Sequence, residues 1–183
     1  MGPSGTGKTT LLSILGLLDS PCQGQYFLRE KEILSLSHQD KAKLRNTVFG
    51  FVFQAHLLIP HYTCLDNCAL PLYYRGLSPQ SAYEQAQKVL TALGLKGLEK
   101  RFAHELSGGQ QQRISIARAI VGSPEILLAD EPTSALDKST KEEVLDLLFF
   151  LAKERKFSLV LVTHDETVAM RCSRIVHLHK AVA

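Results

Sequence analysis

The chain opens with a glycine-rich stretch that runs directly into an apolar segment: Gly2-Pro3-Ser4-Gly5-Thr6-Gly7-Lys8-Thr9-Thr10, then Leu11-Leu12-Ser13-Ile14-Leu15. Its spacing is G-x-x-x-x-G-K-[ST], in which glycines let consecutive backbone N–H groups turn inward around phosphate oxygens. A helix that begins near Lys8 would add the positive end of its dipole, and Lys8 itself would neutralise phosphate charge. The Thr9 hydroxyl would ligate Mg²⁺. By itself the segment also fits a glycine-rich turn before an ordinary helix, because short patterns give false positives.

A second segment delivers two carboxylates at the end of a predicted strand, Ile126-Leu127-Leu128-Ala129-Asp130-Glu131. This arrangement suits metal-assisted hydrolysis: Asp130 would hold Mg²⁺ through water, and Glu131 would orient and deprotonate an attacking water. Taken alone, the segment is more typical of a buried strand that ends in a solvated acidic turn.

A third segment, Leu106-Ser107-Gly108-Gly109-Gln110, leads into a predicted helix from about residue 111 to 121. A serine and two glycine amides at a helix N-terminus form a second potential anion site. The alternative is a plain N-cap followed by two glycines.

Around these segments, predicted strands and helices alternate, which indicates an α/β fold. Strands are predicted at Val48–Phe53, Ile126–Ala129, Ser158–Thr163 and Arg174–Leu178. Helices are predicted from Ser78 to Gly94 and from Ser139 to about Lys156, the latter because Ser139 and Glu142 have capping-box spacing. The stretch from about Ile59 to Ser123 is mostly helical in pattern and is predicted to be an insertion in the α/β core.

The amino-acid composition is that of an ordinary globular protein. It argues against a nucleic-acid-binding protein, a disulfide-rich protein and a membrane-spanning protein. The 183 residues are 45% hydrophobic and 21% charged, with a net charge of +3, which is too mild to indicate nucleic-acid binding. The four cysteines show no disulfide-rich pattern, and Cys64 and Cys68 are interpreted as core thiols. No apolar run approaches the ~20 residues that a membrane-spanning helix needs.

The run Leu106-Ser107-Gly108-Gly109-Gln110, followed by Gln111-Gln112-Arg113, resembles the signature sequence of ABC transporters. The other motifs follow along the chain in the order that this family has. The chain is therefore identified as a member of that family, similar to its ATP-binding subunits. The resemblance implies a P-loop NTPase (RecA-like) core with a mostly parallel sheet, formed by residues 1–58 and 124–183. It also implies an inserted helical subdomain at 59–123 that carries the signature sequence.

The resemblance assigns roles to individual residues. Gln54 resembles the glutamine that senses Mg²⁺ or the lytic water, and His164 resembles the histidine that contacts the γ-phosphate, so the catalytic set is Glu131, His164 and Gln54. The metal positions are Thr9, Gln54 and Asp130. ATP would be bound by the phosphate loop and the signature turn: Gly2, Pro3, Ser4, Gly5, Thr6, Gly7, Lys8, Thr9, Thr10, Ser107, Gly108, Gly109 and Gln110.

The same resemblance implies partners. Two such subunits would form a head-to-tail dimer, with ATP between the phosphate loop of one and the Ser107 turn of the other, and the segment Ser134–Asp137 would lie where paired subunits touch. The dimer would drive transmembrane permease subunits from the cytoplasmic face of the membrane, with no role for nucleic acid. Leu57 and Leu58 are expected either to form an exposed docking surface for a membrane subunit or to plug the core.

The subfamily and the alternatives follow from finer detail. Phe49–Gln54 and Leu127–Thr133 are most similar to ATPases of lipoprotein-releasing and macrolide-export systems, although Ser134 and Ser173 depart from the usual residues. By the same resemblance, we expect the N-terminal strands of the family to be missing ahead of Gly2, including the strand that lies between the counterparts of Ser158–Thr163 and Arg174–Leu178. Residues 1–183 alone are therefore expected to be a poor ATPase. A catalytically impaired fragment and a soluble non-transport ABC-type ATPase remain alternatives.

Overall fold

The computed structural model describes residues 1–2 and 5–179, and contacts divide the chain into two units. One unit contains residues 1–45 together with the described residues from 162 onward, and the other contains residues 46–161. Within the described residues, the structure has no helix that is both long enough and apolar enough to cross a bilayer.

The first unit is built around helix α1, Lys8–Leu15, which follows the glycine-rich stretch as predicted. A short antiparallel pair, β1 (Phe27–Leu28) and β2 (Lys31–Glu32), comes next, and helix α2 (His38–Val48) begins in this unit. Close to the boundary of the unit, the Arg45 guanidinium donates to the carbonyl of Leu17 at 2.8 Å. This contact fixes the chain that leaves α1.

The second unit contains a three-stranded sheet in the order β3–β4–β5. Its strands are β3 (Phe49–Val52), β4 (Ile126–Asp130) and β5 (Ser158–Val162), the last of which ends at the boundary between units. Strands β3 and β4 are parallel, with Phe49 opposite Ile126 and Val52 opposite Ala129. Three of the four predicted strands are therefore present, each within one residue or so of its predicted bounds.

Four helices and a short 3₁₀ turn complete the second unit: α3 (Cys64–Tyr74), α4 (Pro79–Ala92), the turn Ala103–Glu105, α5 (Gly108–Ile120) and α6 (Lys138–Arg155). Helices α3, α4 and α5 pack around one apolar cluster that is continuous with the sheet. Gly50 of β3 permits this packing, because a Cβ at that position would overlap the Ala119 carbonyl and come within 2.9 Å of Leu127. The stretch predicted to be helical thus contains three of the packed helices.

Side-chain caps mark the first residues of helices α4 and α6. One of these two caps was predicted correctly and the other was not. Ser78 accepts from the Ser81 amide at the start of α4, as its position before Pro79 predicts. Helix α6, however, is capped by Asp137 and not by Ser139: the Asp137 carboxylate accepts from the amides of Ser139 and Thr140, both at 3.1 Å. Aspartate outcompetes the serine two residues later because its charged oxygen bonds two amides at the positive end of the helix.

The predicted strand Arg174–Leu178 is not a strand, although the structure describes all of those residues. Among the described residues, its backbone partner is Met1: the Met1 ammonium donates to the Val176 carbonyl, and the Leu178 amide donates to the Met1 carbonyl, each at 2.7 Å. This is the hydrogen-bond pattern of a parallel ladder, and in the described part of the chain it involves one residue of the facing segment. A strand requires consecutive partners, which explains why the β-branched sequence alone did not produce one.

A short helix, α7 (Glu166–Ala169), follows β5 in the first unit. Asp165 caps it by accepting from the Thr167 amide at 2.8 Å. The chain between β5 and this helix is a tight turn, and it carries His164.

Candidate functional site

The phosphate loop has the backbone conformation that its glycines predict. Gly5 and Gly7 have φ angles of 78° and 82°, in the left-handed region that favours glycine. Gly7 is the N-cap of α1, so the first amides of that helix point out of its N-terminus. Pro3 and Ser4, which were predicted to bind nucleotide, lie outside the described residues.

Gly2 is also constrained by packing. A Cβ at this position would lie 2.5 Å from the Leu178 carbonyl oxygen and 3.0 Å from the Thr6 hydroxyl oxygen. A backbone carbonyl cannot move aside as a flexible side chain can, so any larger residue would displace the start of the loop. The first glycine of the motif is therefore required by packing against the segment at 178 as well as by its place in the loop.

The side chains at the start of α1 differ in exposure. Lys8 is only 9% exposed, which is unusual for a lysine and indicates that its stem is packed. Thr9 and Thr10 are exposed at the first turn of the helix. An ammonium held at a helix N-terminus beside inward-turned amides is suited to binding phosphate.

Two predicted site carboxylates, the metal ligand Asp130 and the catalytic Glu131, lie where β4 ends. Asp130 is the last residue of the strand, and its Oδ1 is buried without a hydrogen-bond partner in the described part of the chain. A buried, unpaired carboxylate oxygen is costly unless a cation or an ordered water satisfies it. The side chain therefore fits a hydrated Mg²⁺ ion, for which carboxylate oxygen is a preferred ligand.

Glu131 has a left-handed backbone, with φ of 45°. For a residue that is neither glycine nor asparagine this conformation is strained, and such strain is typical of functional positions. The next turn holds it, because the Ser134 amide and hydroxyl both donate to the Glu131 carbonyl, at 3.2 Å and 3.0 Å. The turn aims the Glu131 side chain away from the direction that a continuing strand would give it.

Gln54 lies at the same sheet edge as Glu131. The paired strands end with Val52 opposite Ala129, and each of these two predicted site residues lies two positions further along its own chain. Gln54 is exposed. The register therefore puts both residues just beyond the same end of the β3–β4 pair, although they are far apart in sequence. The described residues contain no preformed cluster of three metal-ligating side chains.

His164 follows β5 on the tight turn before α7. Its imidazole is exposed, and the residues on both sides of it are fixed: the Asp165 amide donates to the Thr163 hydroxyl at 3.0 Å, and Asp165 caps the helix. The turn thus presents His164 at the end of a strand, as the sequence predicts.

The signature turn is a complete capping box. The Ser107 hydroxyl accepts from the Gln110 amide at 3.3 Å, and the Gln110 side chain accepts from the Ser107 amide at 3.0 Å. A Cβ at Gly109 would overlap the Thr140 side chain, and one at Gly108 would lie 3.4 Å from Leu136. The turn therefore packs against the segment that follows Glu131, which includes the predicted subunit-contact residues 134–137.

A set of buried polar residues near Gln54 was missed by the sequence analysis. Asn67 of α3 and Gln112 and Arg118 of α5 all bind the loop that follows Gln54, at residues 56–63. Asn67 and Gln112 are almost completely buried. The signal that could have found Asn67 was its place on the apolar stripe of a helix, where a polar residue must have a partner.

Leu57 and Leu58, the apolar pair after Gln54, lie in different environments. Leu57 is 56% exposed, as a docking residue would be. Leu58 is partly buried and packs against the core cluster, so the expectation of a two-leucine exposed surface is wrong. The difference arises because the left-handed turn at His56 and Leu57 points successive side chains in different directions.

Cys64 and Cys68 lie on the buried face of α3. Burial raises the pKa of Cys64 to about 11 and that of Cys68 to about 12. Neither thiol is therefore a ready thiolate, which metal binding and nucleophilic chemistry both require.

Comparison with known proteins finds one matching family and many similar sequences. The sequence model of the family described as ABC transporter matches residues 1–134. The lipoprotein-releasing system ATP-binding protein LolD of Legionella pneumophila (strain Paris) is 43% identical over 183 residues, which cover 98% of this chain and 79% of that protein. The macrolide export ATP-binding/permease protein MacB of Pasteurella multocida (strain Pm70) is 45% identical over 176 residues, which cover 96% of this chain. The chain spans only 27% of the length of that macrolide export relative.

A solved structure is similar over almost the whole chain. It is the dimeric, post-hydrolysis state of the ATP-binding cassette MJ0796 bound to ADP and Pi, with a TM-score of 0.88 and 40% sequence identity. The similarity covers 98% of this chain and 79% of that one. The sequence of MJ0796, an ABC transporter ATP-binding protein of Methanocaldococcus jannaschii, is 44% identical to this chain over 182 residues.

These similarities confirm the α/β P-loop fold class and the likeness to lipoprotein-releasing and macrolide-export ATPases that the sequence predicts. The family match covers the phosphate loop, the signature turn and the strand-end carboxylates in one continuous range. Because that match extends over most of the chain and a relative of similar length is 43% identical, the chain belongs to the ABC transporter family and carries its ATP-binding part.

Proposed function

We propose that this chain binds and hydrolyses ATP and thereby drives transport through a partner permease in a membrane. The observation that carries the proposal is the end of β4, where a buried, unpartnered Asp130 oxygen is followed by Glu131 in a strained left-handed conformation. A solvated acidic turn would satisfy both carboxylates with water and would need neither burial nor strain.

The proposal assigns ATP to the phosphate loop and Mg²⁺ to Thr9, Gln54 and Asp130. When bound, Mg²⁺ neutralises the charge that develops on the phosphate oxygens. Lys8 and the α1 amides hold the phosphate groups by charge and hydrogen bonds. The predicted division into a core at 1–58 and 124–183 and a helical subdomain at 59–123 is part of the same proposal.

Three side chains would act on the attacking water and the γ-phosphate. Glu131 accepts a proton from the water, Gln54 orients that water from the neighbouring strand end, and His164 donates a hydrogen bond to the γ-phosphate. General-base catalysis by a positioned carboxylate contributes roughly 10²–10⁴-fold in rate, which is the contribution that we assign to Glu131.

Two copies of the chain would pair head to tail, with the Ser107 turn of each facing the phosphate loop of the other. The exposed capping box at the start of α5 supports this, because its glycine amides lie at a helix N-terminus that anions favour. The solved cassette MJ0796 is described as dimeric with ADP and Pi bound, and it is similar over 98% of this chain.

A permease partner is supported by the names of the relatives, a lipoprotein-releasing ATP-binding protein and a macrolide export ATP-binding/permease protein. We assign the contact with this partner to the exposed side chain of Leu57, three residues after Gln54. The chain would then lie at the cytoplasmic face of the membrane.

The test is Glu131→Gln in the full chain. This variant should bind ATP, hydrolyse it at roughly 10²–10⁴-fold lower rate, and form an ATP-dependent dimer that elutes as such on size exclusion. Glu154→Gln, on the exposed face of α6, is the matched control and should be unchanged. Normal hydrolysis by Glu131→Gln would show that this carboxylate is not the base.

A further inference from the structure

We propose that Arg118 is a positioning residue that ties the turn at His56 and Leu57 to helix α5, so that the turn moves with the Ser107 end of that helix when ATP binds. The proposal rests on the function proposed above and adds to it the connection between the signature turn and the exposed Leu57. All of the residues involved lie in the unit formed by residues 46–161.

Arg118 holds two consecutive carbonyl groups of the turn. Its Nη1 donates to the Leu57 carbonyl at 2.7 Å and its Nη2 donates to the His56 carbonyl at 2.8 Å. A planar guanidinium fork matches two adjacent acceptors in a way that a lysine ammonium cannot. The side chain is partly buried, and burial lowers the pKa of Arg118 from its ordinary value. A charge placed there needs both acceptors, so the contact is specific.

The turn is not a conformation that its own sequence favours. His56 and Leu57 both have left-handed backbones, with φ of 59° and 48°, and neither is glycine. Two strained residues in succession persist only where surrounding groups over-determine them. The Leu57 amide bonds locally to the Ala55 carbonyl at 2.6 Å, and the groups that reach the turn from outside come from α5.

A second residue of helix α5, Gln112, also binds the turn at His56 and Leu57. The Gln112 side chain, which is fully buried, is hydrogen-bonded to the His56 ring. Gln112 and Arg118 therefore bind the ring and the backbone of one residue from two points of α5, six residues apart. Two points of attachment fix the orientation of the turn on the helix as well as its distance from it.

Helix α5 is a direct connection to the signature turn. Ser107 caps the helix at one end, and Arg118 lies 11 residues further along, which is about 16 Å at 1.5 Å per residue. A helix whose cap and interior are hydrogen-bonded moves as a rigid element, so a displacement of its first turn is carried to residue 118. A turn that only plugged the core would not leave Leu57 56% exposed.

The test compares amide hydrogen exchange with and without ATP in the full chain, using Glu131→Gln as the parent so that ATP stays bound. In the parent, ATP should slow exchange at residues 107–110 and at residues 55–58, each by about tenfold or more. In Glu131→Gln with Arg118→Gln, ATP should still protect 107–110, and protection of 55–58 should be lost.

Arg113→Gln is the matched control, because Arg113 lies on the same helix but pairs with Glu143 at 2.8 Å. It should keep the ATP response at both segments. Arg118→Lys keeps the buried charge without the fork and should show the same selective loss at 55–58. If Arg118→Gln does not fold, Arg118→Lys alone tests whether the arginine fork is needed for protection of residues 55–58.

Three outcomes would overturn the proposal. ATP protection of 55–58 that survives in both Arg118 variants would remove Arg118 from the connection. Loss of protection at 107–110 as well, or the same loss in Arg113→Gln, would indicate general weakening of α5. No ATP response at 107–110 in the parent would overturn the head-to-tail dimer and this coupling together, whereas the other two results leave the dimer intact.

Discussion

The phosphate loop and the loop after Gln54 are built by opposite means. The first is shaped by its own backbone, with Gly5 and Gly7 in left-handed conformations that cost glycine little. The second has two left-handed residues that are not glycine, and it is held by side chains of α3 and α5. A loop that must surround a ligand is shaped by its own glycines, whereas a loop that must present a side chain is held by groups behind it.

This difference predicts where each loop is sensitive. Substitutions within the phosphate loop should abolish its function, while substitutions within the loop after Gln54 should matter less than those in the helices that hold it. The following four predictions test that contrast.

The largest effect is expected for Lys8→Ala, the one buried cation of the phosphate loop. Removing it leaves the triphosphate charge without its ammonium, and a charge-assisted contact of this kind is worth roughly 1.5–3 kcal/mol per bond. We expect ATP affinity to fall by about 100-fold or more, measured with a fluorescent nucleotide. Lys31→Ala, at an exposed site of the same unit, should have no effect. Unchanged affinity in Lys8→Ala would refute the loop assignment.

The next effect is expected for Asn67→Ala in helix α3. The Asn67 side chain accepts from the Ile59 amide at 2.8 Å and donates to three carbonyls of residues 59–63. Its loss removes the side-chain partner of the Ile59 amide and of the Tyr62 carbonyl, while the Ile59 and Thr63 carbonyls keep backbone donors. We expect the free energy of unfolding to fall by about 2–4 kcal/mol. Chemical denaturation measures this, with the exposed Gln80→Ala as the control. A loss below about 0.5 kcal/mol would mean that the loop does not depend on this support.

Leu57 and Leu58 give a sharper comparison within one loop. Leu57→Ser should change the free energy of unfolding by less than about 0.5 kcal/mol, since the side chain is mostly exposed. Leu58→Ser should cost about 1–2 kcal/mol, since that side chain packs on the core. In a reconstituted transporter, Leu57→Ser should reduce transport while basal ATP hydrolysis persists. Equal stability losses for the two variants would contradict the division between them.

The smallest effect concerns acid stability at Asp137, the cap of α6. Hydrogen bonds from Ser139 and Thr140 lower the pKa of this carboxyl well below its ordinary value. A lowered pKa in the folded state means that the stabilisation is present above the ordinary pKa and is lost as pH falls through the folded value. Asp137→Asn keeps the cap without the charge and should show a shallower fall in melting temperature between about pH 5 and about pH 2. Parallel curves for the two proteins would show that the charge contributes nothing.

The sequence predicted the local elements of the site well because each depends on consecutive residues. The glycine spacing predicts the left-handed positions at Gly5 and Gly7, and α1 begins at Lys8 where the motif expects a helix. The strand that delivers Asp130 and Glu131 and the cap at Ser107 follow from the same kind of short-range pattern. The roles in catalysis remain proposals that the variants above test.

Where the prediction failed, a competing local group or a distant partner was responsible. Ser139 has the spacing of a cap, but Asp137 binds the same amides with a charged oxygen. The residues from Arg174 to Leu178 have the composition of a strand, but their described backbone partner is the single residue Met1. Propensity therefore indicates what a segment can form, and the available partners decide whether it does.

The sequence by itself determined the family, the fold class and the order of the motifs, since these depend on which residues follow one another. Only the tertiary structure decided that Gln54 and Glu131 follow the same end of paired strands and that Leu57 is exposed while Leu58 packs on the core. It also decided that Arg118 holds the turn at His56 and Leu57. Arg118 and its two carbonyl partners are 61 and 62 residues apart in the chain. No local pattern encodes such a contact, because a buried guanidinium needs two acceptors at fixed positions and only the packed helices bring them to it.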